Sequence, residues 1–235
     1  MSNQLNIKQE IKAEKNKFKS LPFKQKLTYI KDYYTIHIIA VIIGIIIVIA
    51  CYHTYQSNNY NTVLYTVLVN NSQVIWVNEE DSYTYRMGHP FEEYLGIDGQ
   101  KDRVIVDNNY ILNYSKDSEL SVYSSESLVA MFYNAKLDIH IGDKYSIEYF
   151  SKDQDSFFYD LRDIFDEEFL KKHEDKIVTC SYPDGAVIPV AFDISDTRLV
   201  KEAELTVSPA LIAVFSNTKH LDTAKEYIRF ILEEY

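Results

Sequence analysis

Two hydrophobic patterns divide the chain. From Ile36 to Tyr52 the residues are apolar on every face, and His37 is the only strongly polar side chain among them. A run without a polar stripe does not fit a helix lying on a soluble core. With Tyr33 and Tyr34 before it, the run is long enough to cross the roughly 30 Å hydrocarbon core of a bilayer. Tyr33 and Tyr34 at one end, with Tyr52 and Tyr55 at the other, fit aromatic interface belts. Upstream, Phe23, Leu27, Ile30 and Tyr34 recur at i, i+4, i+7 and i+11, with Lys24, Lys26 and Lys31 off that stripe. This predicts a juxtamembrane amphipathic helix over 20–35, with Ser20 as its N-cap and Pro22 in its first turn. Residues 1–19 read as a basic cytoplasmic tail and 53–61 as a polar linker.

Beyond the linker the period changes. TVLYTVLVN, 62–70, is β-branched and apolar almost throughout, as in a strand covered on both faces. QVIWV, 73–77, DRVIV, 102–106, and LDIHIG, 137–142, read as further strands, and AVIPVAFDI, 186–194, and SPALIAVFS, 208–216, are β-like. Helices are expected over 90–95, stopped by Gly96, and over 126–134, with Ser124 and Ser125 available as caps. Two short acidic helices are expected over 157–164 and 166–173. A closing helix over 221–235 carries Leu221, Ala224, Ile228 and Ile231 on one stripe. Alternating strands and helices predict an α/β sheet domain over 62–235.

Charge sets the orientation. Before residue 36, eight lysines face Glu10, Glu14 and Asp32, a balance of +5, while the rest of the chain holds 16 basic residues against 32 acidic ones. No Lys or Arg follows the apolar run until Arg86. The expected topology is therefore a single-pass protein of the cell membrane, N-terminus inside and domain outside. So acidic a domain would be repelled by phosphate backbones, which excludes nucleic acid as a partner. The tetrapeptide VIAC offers a second reading, in which Cys51 is the lipidated first residue after signal cleavage. The 35-residue approach is too long for an ordinary signal n-region, which favours a retained helix.

The chemistry of enzymes is thinly represented. The six glycines form no phosphate-binding loop, and no G-x-S-x-G elbow occurs. The six histidines show no H-x-x-x-H spacing, so no metal or cofactor is expected. The acidic run from Asp153 fails as a calcium loop, because Phe158 stands where Gly is required and Ile164 where Glu is required. Cys180 has no motif around it and reads as a small core residue.

Three phrases, SLVAMFYNAKLDIHIGDKYSIEYF, DSFFYDLRDIFDEEFLKKHEDKI and LIAVFSNTKHLDTAKEYIRFIL, resemble the extracellular solute-binding proteins of bacterial ABC importers, the type 2 periplasmic-binding-protein fold. The anchor FKQKLTYIKDYYTIHII ahead of such a domain resembles membrane-anchored proteins of clostridial Firmicutes. The resemblance implies non-catalytic recognition of a small solute or of a membrane partner such as a transporter. The outer segment is shorter than two-lobed binding proteins, which implies a trimmed lobe. An interaction or assembly module without a ligand cleft is the alternative, and an anchored surface enzyme a third reading. In an open α/β sheet a ligand is expected beyond the carboxyl ends of the strands. The ligand-binding candidates there are Asn70, Asn71, Ser124, Ser125, Asp143 and Asp193, each of which also serves as an ordinary cap or turn residue.

Overall fold

The computed structural model describes residues 9, 12–13, 15–71, 82–112, 119–151, 157–182 and 185–235. The expected strand at 73–77 lies outside the described residues. The chain divides into two units, Met1–Asn59 and Tyr60–Tyr235.

In the first unit the apolar run and its basic approach are one helix, α1, Phe23–Asn58. No boundary separates an amphipathic segment ending at 35 from a spanning segment over 36–52, because no Gly or Pro interrupts the ladder there. At 1.5 Å per residue its 36 residues extend about 54 Å. The stretch Tyr34–Tyr55 has mean hydropathy 2.7, and its 22 residues are long and apolar enough to cross a membrane. Ser20 is not the cap of α1, since its hydroxyl donates to the Lys17 carbonyl. Pro22 instead stands before the first turn, its carbonyl accepting from the Lys26 N–H. The expected linker is also shorter, with α1 running to Asn58 and the first strand starting at Asn61.

The second unit is built on one six-stranded mixed sheet. Its strands are β1 (Asn61–Val69), β2 (Asp102–Tyr110), β3 (Ile139–Gly142), β4 (Ile177–Ser181), β5 (Val187–Asp193) and β6 (Leu211–Val214). Their order across the sheet is β2-β1-β3-β6-β5-β4. β1 is parallel to β2 and to β3, whereas β6 is antiparallel to both of its neighbours, and β4 is antiparallel to β5.

The period-2 alternation of β1 feeds two cores. Leu64 and Leu68 point to one face, Val67 and Val69 to the other. The first face is covered by a π-helical turn, Thr84–Gly88, and α2 (His89–Leu95), then by α5 (Leu161–Ile164), α6 (Glu167–Lys172), α7 (Arg198–Glu202) and α8 (Leu221–Arg229). The second is covered by α3 (Glu119–Tyr133) and α4 (Lys144–Ser151), with Phe157 and Phe158 behind them. The fold is thus α/β, with helices on both faces of a sheet whose central strands are fully buried.

Most of these elements were foreseen in kind, but several ends moved. α2 stops on Gly96 as expected, with φ 70°. α5 and α6 are each opened by an aspartate, Asp160 and Asp166, whose carboxylates accept the Arg162 and Phe169 N–H groups. The first of the two expected acidic helices begins at 161 rather than 157, because Phe158 bridges to Phe215 in extended form. α3 starts at Glu119, so Ser124 and Ser125 lie inside it and cap nothing.

Both outer strands of the sheet are exposed to further pairing in principle. β2 is covered by side chains: Thr84 Oγ1 donates to the Val106 carbonyl and accepts the Val106 N–H, each at 3.0 Å. The Glu92 carboxylate accepts the next outward N–H, that of Val104, at 2.8 Å.

Candidate functional site

The carboxyl ends of β1, β2, β3 and β5 share one edge of the sheet. The chain leaves β1 for β2 on one side and returns to β3 on the other, which makes the β1–β3 boundary a topological switch point. The structure brings Asn70 and Asp143 together here. Asn70, held at φ 61°, donates through Nδ2 to both Asp143 carboxylate oxygens, at 3.1 and 3.0 Å. Its Oδ1 accepts the Leu112 N–H at 2.7 Å, tying down the chain after β2. Asp143 in turn opens α4, accepting the Ser146 N–H at 2.8 Å.

The other candidates on this edge are also engaged by backbone. Asn71 is buried, and its Oδ1 accepts from the Thr206 N–H, the Thr206 hydroxyl and the Val207 N–H. Ser124 is buried and accepts the Ile111 N–H at 3.0 Å. Asp193 accepts from the N–H and hydroxyl of Ser195, whose oxygen receives the Ala210 N–H. Ser125 stands apart, its hydroxyl donating to the Val122 carbonyl within α3. The groups that sequence offers to a ligand therefore hold the loops of this edge in place.

Behind the edge lies His140, fully buried on β3 with its ring set edge-on to Phe150, Phe158 and Phe215. Burial drives its pKa down to about 3, so the ring is neutral. The Ser146 hydroxyl gives its proton to the Asp143 carbonyl at 2.8 Å, and it accepts from His140 Nε2 at 3.0 Å. The proton is therefore on Nε2, and Nδ1 has no partner. This polarity is the reverse of a nucleophile–base pair, in which the histidine would accept from the serine. The contact also requires Gly142. A Cβ there would stand 2.7 Å from His140 Nε2 and closer still to Ser146 Oγ.

Two further polar clusters are structural in form. Tyr65 and Tyr110 both donate to the Asp107 carboxylate at 3.0 Å. Burial, then the Asp107 charge, pushes the Tyr110 pKa up to about 12 and raises that of Tyr65 as well. Asp138, itself buried, accepts the Tyr65 N–H at 2.7 Å and lies 3.0 Å from His220 Nδ1. Among the described residues no group of three His, Cys, Asp or Glu side chains is placed to hold a metal ion.

Among the described residues, a cavity of small-molecule size lies elsewhere, beside the outer edge of β2. It has a volume of about 320 Å³ and is lined by Ser82, Tyr85, His89, Glu92, Gly99 and Arg103, among others. α2 supplies His89 and Glu92 on one wall, and on the other the turn before β2 supplies Gly99 and β2 itself supplies Arg103. The His89 ring stacks on Tyr85 at 4.8 Å and stands 3.7 Å from Glu92 Oε2. Arg103 Nε donates to the Gly99 carbonyl at 2.8 Å, and its guanidinium lies over the Tyr60 ring at 4.6 Å. Sequence reasoning missed this site. HPFEEYLGIDGQKDR contains no spaced motif, and only the Gly96 stop and the following strand were readable in it.

Comparison with known proteins returns no matching family model, no matching curated protein and no matching solved structure.

Proposed function

We propose that the chain is a membrane-tethered recognition protein. α1 anchors it with the N-terminus inside, and the acidic α/β domain outside binds a small polar solute. The observation that carries this reading is the cavity beside β2. Its volume falls at the small end of the range typical of ligand sites, and its walls offer charged, hydroxyl and aromatic groups. The described strands of the domain form one sheet, so recognition proceeds at this open cavity rather than by closure of two lobes. Retention of α1 as the anchor is supported by the continuity of the helix through VIAC to Asn58. The resemblance to solute-binding proteins of ABC importers supports delivery to a transporter as the use of the bound solute.

The interaction-module reading is favoured by a different observation, the engagement of Asn70, Asn71, Asp143 and Asp193 by the protein's own loops. Thermal unfolding of the detergent-solubilised full chain against a panel of polar metabolites separates the two. A ligand that binds only the folded state raises the melting temperature in proportion to its saturation. A shift with any member supports solute recognition. No shift, together with co-purification of a membrane protein, supports the interaction module. Turnover of any panel member overturns both.

A further inference from the structure

We propose that the cavity beside β2 binds a small zwitterion, with a carboxylate on the Arg103 guanidinium and an ammonium on the free oxygen of Glu92. This rests on the recognition reading above and names its ligand class.

Glu92 is the observation that points to a ligand. Its side chain is only 10% exposed; one of its oxygens is held by a neutral donor, the Val104 N–H, and among the described residues the other accepts no hydrogen bond. His89 Nδ1 stands 3.7 Å from that second oxygen, beyond hydrogen-bond reach, and its side chain is 41% exposed. The second oxygen is not among the buried atoms left without a partner, so it opens onto the cavity, where a cationic group can reach it. Glu92 Oε2 also lies so close to Gly99 that a Cβ there would come within 2.7 Å of it, which fixes the carboxylate against the cavity wall.

Arg103 supplies the opposite charge across Gly99. Its Nε is bound to the Gly99 carbonyl and its face rests on Tyr60, which holds the guanidinium plane in place. Among the described residues neither terminal nitrogen has a protein hydrogen-bond partner and no ion pair joins Arg103 to Glu92. A guanidinium fixed at Nε with two free N–H edges matches a carboxylate geometrically. Both charges line one cavity, and a ligand of a single sign would leave the other charge unmatched. The Tyr85–His89 stack forms an aromatic wall against which an ammonium and a short aliphatic stem can lie.

Calorimetric titration of the full chain in detergent micelles tests this. The probes are L-alanine and β-alanine as zwitterions, propionate and propylammonium as singly charged analogues, and glycerol as a neutral polyol. The expected result is binding of a zwitterion at least tenfold tighter than either analogue. Arg103→Gln and Glu92→Gln should each weaken zwitterion binding by about 10- to 100-fold, the loss expected of a hydrogen bond to a charged group. Gln at 92 retains an acceptor for the Val104 N–H, and by removing a like charge from the cavity Glu92→Gln should leave propionate binding undiminished or make it tighter, which a merely structural role would not predict. Zwitterion affinity unmoved by both substitutions overturns the proposal. Binding of glycerol or of one analogue in preference to both zwitterions overturns it too, while leaving solute recognition intact. No binding by any probe overturns it, and the metabolite panel then decides whether recognition falls with it.

Discussion

Replacing Gly142 by alanine tests the buried polar link between His140 and the edge of the sheet. The new methyl group would sit inside van der Waals distance of both Ser146 Oγ and His140 Nε2. Neither neighbour has room to retreat, since His140 and Ser146 are both fully buried. Forcing a methyl group into such packing costs roughly 1–3 kcal/mol. Separating the pair also strands the His140 N–H, in a ring whose Nδ1 already lacks a partner, at roughly 1–3 kcal/mol more. The expected destabilisation is about 2–5 kcal/mol, since the two costs overlap. The assay is urea unfolding of the full chain in detergent, followed by near-ultraviolet circular dichroism of its aromatic core. Ser146→Ala removes the closest contact, so the double substitution should cost less than the sum of the single ones. A Gly142→Ala effect below about 0.5 kcal/mol, or strict additivity with Ser146→Ala, would refute the reasoning.

Three other perturbations follow from the same geometry. His140 titrates near 3 when folded and near its ordinary value, 6.5, when unfolded, so protons favour the unfolded chain between those limits. Stability therefore falls with pH from about 6.5 toward 3, with this residue contributing at most about 1.4 kcal/mol per pH unit, and His140→Gln should flatten that slope in urea titrations across the range. Asn71→Ala removes the acceptor of three bonds to Thr206 and Val207 and should cost about 1–3 kcal/mol in the same assay, where a neutral effect would show that the loop holds itself. Thr84→Val uncovers the Val106 N–H and carbonyl on β2, and light scattering should reveal concentration-dependent association that the parent chain lacks.

What the sequence disclosed follows its strongest periodicities. The apolar run, the two-faced β1 and the stripe of α8 are each decided by many side chains of one kind. The start of α3 was hidden because its inward positions are Ser121 and Ser124, whereas Leu120, Val122 and Tyr123 face outward. The second half of β2, DNNY, lies beyond the expected strand, where Asp107 is held by the Tyr65 hydroxyl from β1 and the Tyr110 hydroxyl from further along β2. β4, an edge strand that buries only Cys180, and the five-residue α7 are too short for a period to show in the sequence. At the site, the general rule for α/β sheets pointed to the carboxyl-end edge, where the structure brings Asn70 and Asp143 together. It did not disclose that these groups are satisfied from within. The cavity beside β2 depends on Glu92 and Arg103 meeting around Gly99, a contact set by how α2 folds back on β2 rather than by any spacing along the chain.

The central claim is a domain displayed outside by a retained helix. Proteinase K applied to intact cells, followed by detection with antibodies against the lysine-rich N-terminus and against the C-terminal helix, tests it most directly. The account predicts that the C-terminal epitope is lost from intact cells while a membrane fragment keeps the N-terminal one. Protection of the C-terminal epitope until the cells are lysed would contradict it.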